Sequence, residues 1–516
     1  MDTKDKQLIV GAGLSGVLTA KAFQSQDVPY AVYESSGVAG GVWTPENKEF
    51  GLVNESSSVQ IDAVVFRSLD DQSPVLVDSK DLLVNTRRSA NDVMRGIKDD
   101  LKALKGPVVF NRKVLSWSYD ESTDHVLVES QDVLSGAKFS EVFAGIHLRT
   151  GSLASPNKVE FTGQDKFKGR IVTGTKSDIT LDEFQDQNVV ILGWGAFSIE
   201  NARRALIGGA KSITIVSRNR KHHHFEYPNY LLSVGLYNLK AAEPAHVAET
   251  WAKIFEANRK AAKSLGVQDL LFNEETCVTL YGREHMIVRN GFHCSSIDMV
   301  MMGIHYGLVR YIPGTVTELY EAGVVTEDGT KIPADVIVKT FGFKTDLRLQ
   351  KGHSRMNCFW IDGRPNTTAS ESIDSVKGAQ IFGPMFPGRH IILVSYYVLQ
   401  EFGEVIAYFL KNKDKFVEFS SNPLFSTLST PESLDLFHIF SALNKIFASG
   451  NPELIQIVAT SMVRKQDQYS RLLDHKTFLN ADKNKWELLI DFFVKKTGQP
   501  RIPYPFEEDL KLANKV

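Results

Sequence analysis

Two stretches in which a short apolar run meets a glycine turn and then a helix-forming run, followed by a C-terminal stretch without such turns, predict an α/β fold. The predicted architecture is two Rossmann-like dinucleotide-binding domains plus a mainly helical C-terminal extension. A length of 516 residues suits this, since about 150 residues per domain gives a prior of roughly three domains.

In chain order, residues 7–10 (Gln-Leu-Ile-Val) read as a buried strand, residues 11–16 as its glycine turn and residues 17–23 as a helix. Residues 30–33 form the next strand, which ends at Glu34. An amphipathic helix is expected over 91–105, a hairpin over 114–119 and 125–129, and a returning strand over 143–149. The second unit opens with a strand over 188–192, turns at 193–198, continues as a helix over 199–207 and returns as a strand over 212–216. Residues 323–330 read as turn-rich and 334–338 as another buried strand. Beyond about residue 411 helical spacing dominates, as at 434–447 and 486–496.

Composition excludes several classes. Lys and Arg number 59 against 61 Asp and Glu, a net charge of −2 that offers no broad attraction to nucleic acid. The longest apolar stretches are broken by His305, Arg310, Glu401 and Glu404, so no membrane span is expected. Residues 1–6 leave no room for a signal peptide before the first strand. Cys277, Cys294 and Cys358 have no close pairing and form no CxxC, which argues against a disulfide scaffold or a dithiol reductase and for a reducing, cytoplasmic setting.

The first turn, Gly11-Ala-Gly13-Leu-Ser-Gly16, is G-x-G-x-x-G in its proper setting of strand, turn and helix. Gly11 permits the tight turn, Gly13 lets a pyrophosphate approach the backbone and Gly16 allows close helix–strand packing. Phosphate charge then faces the positive end of the helix. Glu34, 23 residues after Gly11, can accept from the hydroxyls of an adenosine ribose. Gly40-Gly41-Val42-Trp43 follows. It is either a surface turn with a packed tryptophan or a stretch running under a flavin ring, with Gly41 admitting the cofactor and Trp43 covering it.

The second turn, Gly193-Trp-Gly195-Ala-Phe-Ser198, keeps two glycines and places a small serine third. Where the first unit has Glu34, the second has Val216, and Ser217-Arg218-Asn-Arg220-Lys221 comes next. A cationic cluster in place of an acid suits a ribose 2′-phosphate, and so NADP over NAD. His222-His223-His224 reads as an extension of this basic loop, because three consecutive histidines lack the spacing of a tetrahedral metal site.

Two such units with a glycine-glycine-x-tryptophan between them resemble a class B flavoprotein monooxygenase, the group of flavin-containing and, more distantly, Baeyer–Villiger monooxygenases. Thr150-Gly151-Ser-Leu-Ala-Ser-Pro156 with Phe161-Thr-Gly163 resembles that family's first crossover between domains. Phe341-Gly342-Phe343-Lys-Thr-Asp346 resembles the second, A-T-G-Y/F-x-x-D, with Phe341 in the threonine position. The signature F-x-G-x-x-x-H is present as Phe167 to Thr173, with threonine in place of histidine and no Trp-Pro after it. The resemblance divides the chain into an FAD-binding domain (1–155 and 339–410), an NADPH-binding domain (156–338) and a helical extension (411–516).

It further implies FAD on the first unit, NADPH on the second, and insertion of one oxygen atom from O2 into a small organic substrate through a C4a-(hydro)peroxyflavin. The oxygen acceptor is a soft nitrogen or sulfur, or a carbonyl neighbour. Asn54 matches the active-site asparagine of the flavin-containing type, although a loop asparagine fits its neighbours as well. Thr150, Gly151 and Asp346 would lie near the cofactors. The other readings are an NADPH-dependent flavin reductase or oxidase, and a flavin-binding interaction protein. Leu434, Phe437, Phe440 and Leu443 give the extension an apolar face, expected to pack on the FAD-binding domain or on a second subunit of a homo-oligomer.

Overall fold

The computed structural model describes residues 2–44, 58–59, 88–120, 122–123, 125–150, 155–175, 178–218, 222–228, 230–231, 244–270, 278–281, 285–288, 292–344, 380–382 and 475–515. Two five-stranded sheets dominate. The first is ordered Gln380–Phe382, Gly145–Leu148, Gln7–Val10, Tyr30–Tyr33, Val108–Val109, with every pairing parallel. The strands 7–10, 30–33 and 145–148 are buried at every residue and mostly apolar, and the polar Gln7 and His147 hydrogen-bond to each other at 3.0 Å. The second is ordered Arg170–Val172, Val336–Lys339, Asn188–Leu192, Ser212–Ser217, Val309–Pro313, again all parallel. In chain order it lies between strands of the first sheet.

The duplication runs deeper than the two turns. Each unit carries a helix (Leu14–Ser25 or Ala196–Ile207) after its turn, and a second helix (Ala90–Lys102 or Asp298–His305) before the strand that closes one edge. An antiparallel meander then precedes the return to the sheet: Arg112–Asp120, His125–Asp132 and Lys138–Phe143 in the first unit, Val316–Tyr320, Gly323–Thr326 and Lys331–Pro333 in the second. The expected hairpin is thus two strands of three. The strand read over 143–149 is two strands, because Ala144 N–H turns to Lys6 O at 2.9 Å and separates the meander from the parallel sheet. Residues 323–330 are only half a turn. Gly323–Thr326 is a strand, and the bend follows at Asp328, whose carboxylate accepts from Thr326 Oγ1 at 2.6 Å and Thr330 N–H at 3.0 Å.

The C-terminal helices, His475–Thr497 and Glu507–Ala513, correct the expectation for the extension. Phe478, Leu479, Trp486, Leu489, Ile490 and Phe493 recur at helical spacing and join one core with Ile191, Ile199, Ile215, Met299 and Met302. The described part of the extension, residues 475–515, therefore packs on the second dinucleotide unit. The physical reason is that Met299, Val300, Met301 and Met302 are consecutive and point around the Asp298–His305 helix, so its outer side too needs an apolar cover, which the tail helix supplies. Residues 434–447 lie outside the described residues. Among the described residues, no helix is long and apolar enough to cross a membrane.

The tail's seam contains buried acids. Asp298 accepts from Trp486 Nε1–H at 2.9 Å and from Glu226 N–H at 3.0 Å, and Asp482 accepts from the Tyr504 hydroxyl at 2.6 Å. Burial, then the charges of Asp298 and Glu226, push the Asp482 carboxyl well above its ordinary 3.8, against the pull of the Tyr504 hydroxyl. A pKa raised on folding gives stability that is full below the unfolded value and lost as pH rises through the folded one. Asp482→Asn keeps an oxygen for Tyr504, so its melting temperature is expected to fall less than that of the wild type as pH rises from about 4 to about 8. Thermal melts across that range check this, and parallel curves would refute it.

Candidate functional site

The first glycine turn is built by close backbone approaches. Gly11 has φ +106°, and a Cβ there would lie 2.6 Å from Arg149 O. A Cβ on Gly16 would stand 1.8 Å from Gly11 O, so the third glycine has no room for any side chain. Gly13 and Gly41 face each other, a Cβ on Gly41 falling 3.4 Å from Gly13 Cα. Gly40 N–H donates to Ala12 O at 2.9 Å, and the short 3-10 turn Gly41–Trp43 follows, with Trp43 part-exposed. The glycine-glycine-x-tryptophan stretch therefore lies against the glycine turn.

Glu34 is 8% exposed. One carboxylate oxygen accepts from Ala12 N–H at 2.7 Å, and the other from Ser36 N–H at 2.8 Å and the Ser36 hydroxyl at 2.9 Å. It braces the turn as well as offering its remaining lone pairs, a role the motif alone does not reveal. Arg149 is a second residue missed from sequence. Its N–H donates to Val10 O at 2.8 Å and its Nε to Thr19 Oγ1 at 2.9 Å beneath the turn, and burial pushes its guanidinium down to about 9. The next residue, Thr150, is exposed.

The second turn repeats the geometry with different chemistry. Gly193, at φ +128°, donates to Val216 O at 2.9 Å just as Gly11 donates to Tyr33 O at 2.7 Å. A Cβ on Gly195 would meet nothing within 4 Å, so the middle glycine presents its backbone to open space. Ser198 is more than a small third residue. Its Oγ accepts from Gly195 N–H at 3.1 Å and lies 2.6 Å from Thr340 Oγ1, which donates to Leu192 O at 2.8 Å. Because Thr340 has spent its proton on Leu192, Ser198 is the donor between the two hydroxyls.

Ser217 ends its strand, its carbonyl accepting from Tyr311 OH at 3.0 Å and Gly314 N–H at 3.2 Å, and Arg218 emerges exposed beside it. The histidines do not extend the basic loop. His222–His224 is a strand paired with Phe292–Ser296, and His223 and His224 are 2% and 0% exposed. His223 Nε2 lies 3.0 Å from Trp194 O, and His224 Nδ1 lies 2.6 Å from Asn258 Nδ2. They are buried because apolar Phe225 follows directly and draws the segment into the second core.

The two chain passages between the units run side by side. Ser155–Pro156 pairs antiparallel with Phe343–Lys344, Asn157 N–H donates to Gly342 O at 2.9 Å, and Asn157 Nδ2 donates to Phe341 O at 3.0 Å. Phe341 packs on Phe161 with ring centroids 6.0 Å apart. Thr173, in the position of the family histidine, donates its N–H to Asp178 Oδ2 at 2.7 Å. Asn54, Gly151, Arg220 and Asp346 lie outside the described residues. Among the described residues no group of three or more His, Cys, Asp or Glu is placed to hold a metal ion.

Both turns fit a dinucleotide. Each sets its middle glycine at the start of a helix, Gly13 facing Gly41 beside a buried acid and Gly195 facing open space beside an exposed cation. Fold and turns together define the class, an α/β chain with two dinucleotide-binding units. In sequence the chain is 23% identical over 361 residues to the FAD-containing monooxygenase EthA of Mycobacterium tuberculosis, covering 66% of this chain and 70% of that one. In fold it is similar to Tmm from Pelagibacter sp. strain HTCC7211, with TM-score 0.52, 15% identity and coverage of 95% and 92% of the two chains. It is also similar to OTEMO in complex with FAD and NADP, with TM-score 0.53, 13% identity and coverage of 83% and 91%. No family model matches. The chain thus resembles the class B flavoprotein monooxygenases in sequence and in fold.

Proposed function

We propose that this chain is an NADPH- and O2-dependent FAD monooxygenase that adds one oxygen atom to a small organic substrate. The observation that carries the reading is the opposed chemistry of two duplicated turns in one chain, Glu34 on the first and Ser217-Arg218 on the second. FAD, when bound, supplies the two-electron redox chemistry and the activation of dioxygen, with NADPH as hydride source. Gly11 makes the tight turn, Gly13 lets its pyrophosphate reach the helix N-terminus and Gly16 packs that helix closely, while Glu34 accepts from the ribose and Gly41 and Trp43 flank the ring system. Thr150, Gly151 and Asp346 line the crossovers beside it. Gly193 and Gly195 receive the NADPH pyrophosphate at a turn that Ser198 braces through Gly195 N–H, while Ser217, Arg218 and Arg220 take the 2′-phosphate. Asn54 orients the substrate with its amide.

The overall conversion consumes one NADPH, one proton and one O2, and releases NADP⁺, water and the oxygenated product. The test is turnover under isotopically labelled O2 with a panel of soft amines, sulfides and ketones. The expected result is one labelled oxygen per NADPH consumed for one class in the panel. NADPH consumed with hydrogen peroxide as the sole product throughout would replace this reading with a reductase or oxidase. A flavin that NADPH never reduces would leave a binding protein. The same reading puts the chain in the cytoplasm, supported by three cysteines without close pairing.

A further inference from the structure

The peptide unit joining Trp194 to Gly195 is gripped at both ends. Its carbonyl faces His223 Nε2 at 3.0 Å, and its N–H donates to Ser198 Oγ at 3.1 Å. A carbonyl oxygen has no proton to give, so the imidazole carries its hydrogen on Nε2. His223 and Trp194 are 2% and 3% exposed, so the contact lies out of water's reach. The first unit holds the matching carbonyl, that of Ala12, with a backbone donor, Gly40 N–H at 2.9 Å. In the second unit a side chain has taken over that task, brought in by the strand that follows the basic segment.

Trp194 is fixed in turn by Tyr311, whose ring meets the indole edge-on at 4.8 Å and whose hydroxyl donates to Ser217 O. The result is that Gly195, with open space at its Cβ position, sits in a peptide unit hydrogen-bonded at both its carbonyl and its N–H.

We propose that His223 is a positioning residue for the nicotinamide dinucleotide. By holding the Trp194 carbonyl, it fixes the plane of the Trp194–Gly195 peptide over which the pyrophosphate passes. This rests on the reading that the second unit takes NADPH. The pyrophosphate is common to NADPH and NADH, so loss of the grip affects both, unlike loss of a 2′-phosphate contact.

The experiment uses the full-length FAD-loaded protein and follows NADPH and NADH oxidation in air-saturated buffer. His223→Leu keeps much of the volume without the donor, and His223→Gln supplies an amide N–H toward the same carbonyl. His223→Leu is expected to raise KM for both cofactors by about threefold to tenfold, the worth of one hydrogen bond. Its kcat and FAD content stay near wild type, and His223→Gln recovers most of the KM. An unmoved KM in His223→Leu, or a Gln variant as impaired as Leu, would overturn the proposal. Should His223→Leu fail to fold, Ser198→Ala releases the other end of the same peptide and is expected to raise both KM values; unchanged values there would overturn it equally. A wild type that oxidises neither cofactor removes the parent reading, and this one with it.

Discussion

Arg218→Ala is expected to collapse the preference of the enzyme for NADPH over NADH. The 2′-phosphate carries close to two negative charges, and no acid stands between Val216 and Lys221 to repel it. Arg218 leaves a strand end anchored by the Tyr311 hydroxyl and the Gly314 N–H, so its backbone position is set while its guanidinium stays exposed. A planar fork in that position suits phosphate oxygens. Losing one charge-assisted bond costs about 1.5–3 kcal/mol, or roughly 10- to 150-fold in affinity. Wild type is expected to favour NADPH at least about tenfold in kcat/KM, with the ratio near one in the variant. Because the side chain is exposed, added salt is expected to narrow the difference. A wild type that prefers NADH, or a variant that loses both cofactors equally, would assign Arg218 to another task.

Glu34→Ala is expected to purify with little flavin. Two losses combine: the ribose hydroxyls lose their charged acceptor, and Ala12 N–H loses its partner at 2.7 Å inside a buried turn. The first alone costs about 1.5–3 kcal/mol, and a buried N–H left without a partner costs about 1–3 kcal/mol more. Glu34→Gln retains an oxygen for Ala12 and is expected to keep more FAD than alanine does. Flavin absorbance per chain after gel filtration measures both. An alanine variant that stays fully yellow would remove Glu34 from the site.

What could be read from sequence was what lies close in sequence. The two turns, the acid 23 residues after Gly11 and the basic segment after Val216 are local patterns whose spacing carries their geometry. Thr340, Arg149 and His223 were illegible because each acts across the chain: Thr340 reaches back to Ser198, Arg149 to Thr19, and His223 to Trp194. The histidine run looked solvated because its neighbours are basic, and only the strand pairing with Phe292–Ser296 buries it. Gly323 misled in the other direction. It opens a strand so tightly that a Cβ would lie 2.1 Å from Ile332 O, a close pass no composition rule reports. The tail helix was legible over 486–496 from its spacing, but spacing names no partner.

That partner has a consequence for how the chain is made. The second unit is complete as a sheet by Lys339, yet Phe225, Tyr306 and Met302 share their core with Trp486, Phe493 and Phe506. At about 5–20 residues per second, roughly 150 residues and roughly 8–30 s separate Lys344 from the end of the tail helix during synthesis. For that interval the core residues that pack on Trp486, Phe493 and Phe506 in the finished fold lack those partners. A ribosome that stops short of His475 releases a polypeptide with both nucleotide turns encoded and without those partners.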